Sequence, residues 1–176
     1  MQTSQTKSTT AHKNSTPQSR LLVIEREFDA PVERLFEAFK DAEAIKAWWW
    51  PKGLYADRVE MDFREGGRLF VNMKGYDKGG GGMTGRFEEI VENEKLVMTD
   101  NFADEEGNAI SAKEAKMPGD WPEMLYVTFE FSSLGPNKSR FELSQEGIPN
   151  ELQKDCIQGW SESFDKLDSY LGGRKQ

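Results

Sequence analysis

The spacing of apolar residues changes several times along this chain. LLVIEREF, Leu21 to Phe28, opens as an apolar run and then alternates, which predicts a strand with one buried face. From Pro31 the period becomes helical: Val32, Leu35, Phe36 and Phe39 share one side, and Glu33, Arg34, Glu37 and Lys40 fill the other. Asp29 and Pro31 are helix-start signals, and Asp41 caps a second short helix, DAEAIKAWW, nearly contiguous with the first. Trp48, Trp49 and Trp50 then stand in a row before Pro51. Successive helical residues point about 100° apart, so three indoles in a row cannot share one face. Pro51 also drives Trp50 away from helical dihedrals. The expectation is that Trp48 or Trp49 closes the core and that Trp50 stands on a rim.

Beyond Pro51 the period is two. Val59, Met61 and Phe63 alternate with charged residues, and Leu69, Val71 and Met73 continue the pattern after a turn at Gly66-Gly67. Further strands fit Met83 to Val91, Leu96 to Phe102, Leu125 to Ser132 and Ser139 to Gln145, joined by turns containing Gly or Asn. Leu152, Cys156, Trp160, Phe164, Leu167 and Leu171 then step by three or four along a long helix that stops at Gly172-Gly173. The order is strand, two short helices, six strands, long helix. An antiparallel sheet with one apolar face needs a cover, and only the last helix is long enough to supply it. The predicted fold is therefore α+β, a curved antiparallel sheet wrapped around the C-terminal helix. The gap between such a sheet and helix is a natural small-molecule pocket.

Composition narrows the chemistry. The 176 residues suit one domain. Residues 1–20 are Ser/Thr/Gln-rich, hold no acid and almost nothing apolar, and read as a disordered tail; 173–176 form a short C-terminal tail. With Lys7, Lys13 and Arg20 in the first tail, the remainder carries 20 basic against 31 acidic residues, a net −11, the wrong sign for nucleic acid. No segment has the length of a membrane span or the apolar core of a secretory signal, so a cytoplasmic location without membrane insertion is expected. The single cysteine, Cys156, permits no internal disulfide, and the single histidine, His12, lies in the tail. Histidine-based catalysis, Ser/His/Asp or Cys/His triads and thiol or imidazole metal sites are thereby disfavoured in the folded part. No cofactor and no metal are expected.

Several strings in this order resemble one family. FDAPVERLFEAF, WWWP, DFREGGRLFVNM, GRFEEIVENEKLVMT and GWSESFDKLDSYL together are similar to the START-like, or SRPBCC, superfamily with its helix-grip fold, and within it to the heat shock protein 90 ATPase activator homologue-like branch. The resemblance covers about residues 21–171, so that 21–172 form a single START-like domain. It implies a hydrophobic cavity between sheet and long helix, a stress-linked role, and a chaperone as a second candidate partner. Two segments depart from the family pattern: the link Ala103 to Met124 is longer, and YDKGGGG, Tyr76 to Gly82, is richer in glycine. The eukaryotic activator has a further N-terminal domain for which the tail is no substitute, so direct chaperone stimulation is not expected.

The leading functional expectation is a non-enzymatic module that binds a small hydrophobic molecule or lipid, acting as a monomer. Its expected contacts are Trp50 at the rim and Met61, Phe63, Met73, Phe87, Met98, Phe129, Trp160 and Phe164 within. A co-chaperone-like interaction module and a cavity enzyme of cyclase or dehydratase type are the alternatives. Arg86 and Asp100 are polar residues in apolar strands, where a charge among inward side chains would orient a ligand head group. Cys156 reads as a small buried hydrophobe, and Asp104-Glu105-Glu106 as a solvated loop. GGGG, Gly79 to Gly82, lacks the Lys-Ser/Thr and helix of a phosphate loop and reads as a hairpin connection. The link Ala103 to Met124 is long for a structureless loop and is expected to form a lid, with one or two helical turns in AISAKEAKM and Trp121 as an anchor.

Overall fold

The computed structural model describes residues 21–75 and 81–172; the two tails and residues 76–80 of the glycine-rich connection lie outside the described residues. The elements run β1 (Leu21–Phe28), α1 (Val32–Glu37), α2 (Ala42–Trp48), β2 (Tyr55–Met61), β3 (Arg68–Lys74), β4 (Gly82–Val91), β5 (Lys95–Ala103), β6 (Ala109–Ile110), β7 (Leu125–Gly135), β8 (Lys138–Glu146), a 3-10 turn (Asn150–Leu152) and α3 (Gln153–Gly172). The strands pair antiparallel in the order β1-β8-β7-β5-β4-β3-β2. The two-residue β6, drawn from the long link, adds to the end of β5. This is the helix-grip arrangement.

Alternation sets the faces. Along β7, Leu125, Val127, Phe129 and Phe131 are buried and the residues between them are not; along β8 the buried set is Ser139, Phe141, Leu143 and Gln145. The sheet curls because its register slips within β2–β3, β4–β5 and β7–β8, and each irregularity adds twist. At one bend Gly85 of β4 passes so near β5 that a Cβ would sit 1.9 Å from the Thr99 carbonyl oxygen, so only glycine fits.

Against the concave face α3 buries Phe164, Leu167 and Leu171. Phe39, Phe129, Phe131 and Phe141 meet edge to face or tilted at centroid distances of 4.9 to 6.2 Å, apart from Phe129 and Phe131, which stack at 6.4 Å, and this sets the geometry of the core beyond simple burial. Arg34 donates to the Leu171 carbonyl (2.7 Å), satisfying an orphan acceptor at the end of α3. Asp41 caps α2 by accepting from the Glu43 N–H (3.1 Å). α1 ends earlier than its apolar period, with the Phe39 and Lys40 N–H groups tightening onto Phe36 and Glu37, yet Phe39 stays in the core.

Candidate functional site

The three tryptophans diverge because the chain turns between them. Trp48, the last residue of α2, is fully buried and donates its indole N–H to the Ala38 carbonyl (2.9 Å). Trp49 sits at φ −79°, ψ 56°, an inverse γ-turn across which the Trp50 N–H reaches the Trp48 carbonyl (2.8 Å). The turn sends Trp49 inward against Trp160 (5.3 Å between centroids) and leaves Trp50 half-buried. Lys166 of α3 fastens that corner: its ammonium donates to the Trp50 and Pro51 carbonyls, both at 2.8 Å, and lies 3.3 Å from the centroid of the Trp50 ring. Burial lowers the Lys166 pKa, opposed by Glu162.

Next to this corner lies a cavity of about 230 Å³. Three of the four α3 residues that line it are small, Cys156, Gly159 and Ser163 beside Trp160, and a Cβ on Gly159 would have no neighbour nearer than Pro51 Cβ at 3.9 Å. Across from them stand Gly81 and Gly82, which are equally small. Met73, Met83, Phe102 and Leu125 supply apolar wall from the sheet.

Two polar side chains interrupt that wall. Asp100 and Gln145 occupy inward positions of β5 and β8 where the apolar series would otherwise continue. The Gln145 amide nitrogen donates to Asp100 Oδ2 (2.9 Å), and Trp160 Nε1 donates to Gln145 Oε1 (3.2 Å). An indole N–H only donates, so this bond orients the amide and turns its NH₂ toward the carboxylate. Burial pushes the Asp100 carboxyl up to about 6, against the lowering effect of the Gln145 bond. Surface exposure ranks Asp100 only as partly buried, because its accessible surface faces the cavity; the surrounding protein, not that opening, governs its charge. Cys156 is pushed up to about 11 by burial and then by the nearby Asp155 and Asp100, so its thiol stays protonated.

The long link covers the cavity with its second half. Its first half is held on the outer strands: Arg68 donates to the Gly107 carbonyl (2.8 Å), Arg58 to the Glu105 carbonyl (2.5 Å), and Lys74 pairs with Glu105. Beyond β6 a single helical turn forms. Ser111 Oγ accepts from the Glu114 N–H (3.1 Å) while Glu114 Oε2 accepts from the Ser111 N–H (2.8 Å), a reciprocal capping box that also lowers the Glu114 pKa. Lys116, at φ 59°, ends the turn, with Met117 N–H bonded to the Ala112 carbonyl and Lys116 N–H to the Lys113 carbonyl, a Schellman arrangement. Met117 and Trp121 then line the cavity, and Trp121 meets Phe102 edge to face at 5.2 Å.

Of the nine contacts expected from sequence, Trp50, Met73 and Trp160 line this cavity. Phe87, Met98, Phe129 and Phe164 are instead fully buried in the core, and Met61 and Phe63 pack against it from the β2–β3 side. Of the two polar positions, Asp100 is in the cavity, whereas Arg86 points outward and donates to the Gly66 carbonyl (3.1 Å). The apolar pattern by itself singles out neither Gln145 nor Gly159. Both left a signal: a glutamine in phase with Phe141 and Leu143, and small residues at 156, 159 and 163 on the helix side that carries Trp160.

The comparisons with known proteins match this architecture. The family described as Activator of Hsp90 ATPase homolog 1-like protein matches residues 29–172. A Chromobacterium violaceum protein of known structure is 28% identical, with a TM-score of 0.70 over 86% of this chain and 96% of that one. The AHSA1 protein from Silicibacter pomeroyi is 24% identical, TM-score 0.69, over 88% of this chain and 99% of that one. An Arthrobacter aurescens protein solved in solution is 23% identical, TM-score 0.71, over 90% and 89%. The last two likenesses show the fold alone. No curated protein matches.

Proposed function

The chain belongs to the Activator of Hsp90 ATPase homolog 1-like family, and on that premise we propose that it binds a small, largely apolar molecule with one polar end in the cavity between the sheet and α3. The observation that carries the reading is an apolar, tryptophan-lined cavity with a single hydrogen-bonded polar wall, Trp160–Gln145–Asp100. Apolar walls supply affinity by burial, and a few convergent polar groups orient the occupant.

The alternatives have no comparable observation behind them. A cavity enzyme would have to work without histidine among the described residues and with a thiol that stays protonated. Action as a monomer in the cytoplasm belongs to the same proposal; among the described residues no helix is long and apolar enough to cross a membrane.

The test is uptake of N-phenyl-1-naphthylamine, a neutral fluorescent probe, together with native mass spectrometry of protein purified without denaturant. Saturable single-site uptake, competed by whatever molecule co-purifies, is the expected result. Absence of saturable uptake together with a native mass equal to the bare chain overturns it.

A further inference from the structure

We infer that the polar end of the ligand is a cation, and that the site selects amphiphilic amines by pairing their ammonium with Asp100. The inference rests on the binding reading above and adds the charge and chemical class of the occupant.

Asp100 is half of an incomplete ion pair. Gln145 uses only Oδ2 of Asp100, and among the described residues no donor reaches Oδ1 and no Lys or Arg pairs with the carboxylate. A carboxylate surrounded by protein and facing an apolar cavity is costly unless a counter-charge arrives. Gln145 cannot reverse its amide to serve a different ligand without losing the Trp160 bond. The acceptor side of Asp100 is thus preset.

The rest of the lining suits a cation. Trp49, Trp50, Trp121 and Trp160 all border the cavity, and an indole face is the strongest aromatic partner for an ammonium. The rim already shows that chemistry within the fold, since the Lys166 ammonium rests on Trp50. The net charge of −8 also raises the local concentration of cations and repels carboxylate amphiphiles.

Protonation supplies a second arm. An alkylammonium stays charged from pH 5 to 8, as lysine does, so pH changes in binding report the protein. Cys156 is the titratable side chain facing Asp100 from α3, and it stays neutral over that range; Asp155 bears on the cysteine; from β8 the facing group is the neutral Gln145. Asp100, with its pKa at about 6, is then the group that titrates.

The experiment is isothermal titration with octylamine, octanol and octanoate at pH 7.5, the amine being repeated at pH 5. Octylamine is expected to bind at least about tenfold tighter than octanol, with octanoate weakest. Its affinity should fall about tenfold from pH 7.5 to pH 5 as Asp100 takes up a proton. In Asp100→Asn the amine should lose its advantage, the two neutral-pH affinities converging to within about threefold. Octanol or octanoate binding as tightly as octylamine, or an amine affinity unchanged at pH 5, overturns the amine assignment while leaving the cavity reading intact. Failure of all three to bind overturns both. The pH arm uses the unmodified protein, so it decides the question even if Asp100→Asn does not fold.

Discussion

The buried carboxyl of Asp100 has a pH-dependent cost to folding that can be measured. It titrates near 3.8 when unfolded and at about 6 in the fold, so between those values the folded state binds more protons than the unfolded one. Stability therefore falls as pH rises through that window, and the loss is complete above about pH 6. Asp100→Asn keeps an oxygen to accept from Gln145 and removes the charge. It should raise the unligated protein's stability at pH 7.5 by on the order of 2 kcal/mol, and change it little at pH 4. Denaturant melts at the two pH values check this; equal effects at both would mean that the charge is not the cause. At Trp50, by contrast, the ring is half-buried and held from outside by Lys166, so Trp50→Ala should weaken probe uptake more than it lowers the melting temperature.

The cavity is a property of one helix face. Through Phe164, Leu167 and Leu171 the helix α3 seals the sheet, and through Cys156, Gly159 and Ser163 it leaves room. Gly159→Leu fills that room without an immediate clash and replaces a poor helix former. It should abolish probe uptake while raising the melting temperature by about 2 °C, from a helix gain of somewhat under 1 kcal/mol. Loss of uptake with loss of stability would mean that the space is not available. The capped turn of residues 111–117 is the other element with a measurable role. A lone turn is marginal and draws its order from its cap and from what it rests on, here Met117 and Trp121 over the cavity. Residues 105–120 should exchange amide hydrogens more slowly when octylamine or the neutral probe saturates the site; identical exchange would remove the lid from the proposal.

At the scale of the molecule, core and site separate along the long helix and the strands it covers. Phe129 touches Phe39, Trp49, Phe131, Phe141 and Trp160, so Phe129→Ala should cost about 3–5 kcal/mol and lower the melting temperature by roughly 10 °C. Met117→Ala, at the cavity roof, should leave the melting temperature within about 2 °C and reduce probe affinity severalfold. Thermal melts and probe titrations on the pair test the division: a large stability loss for Met117→Ala would make the roof part of the core.

The period of the apolar residues was enough to determine the seven longer strands, the two short helices, the long helix and the antiparallel sense of the sheet, because one-sided burial imposes period two on strands and a three-four step on helices; it missed β6, where Ala109 and Ile110, expected to open a helical turn, pair with the end of β5 instead. The row of tryptophans before Pro51 likewise determined that the indoles part company, since successive helical residues point about 100° apart and a proline disfavours helical geometry at Trp50. The location of the space was decided only in three dimensions. Phe87, Met98, Phe129 and Phe164 lie in the same inward phase as the cavity residues, and phase reports the face of an element and not the distance to whatever opposes it. Large side chains opposite one another filled the middle of the fold. Small ones at Gly82, Gly159 and Ser163, more than 70 residues apart at the extremes, met at one end and left it open. The pairing of Asp100 with Gln145 had the same origin: β5 and β8 are separated in the sheet by β7, and only the shared curvature of the three strands turned two isolated polar residues into one wall.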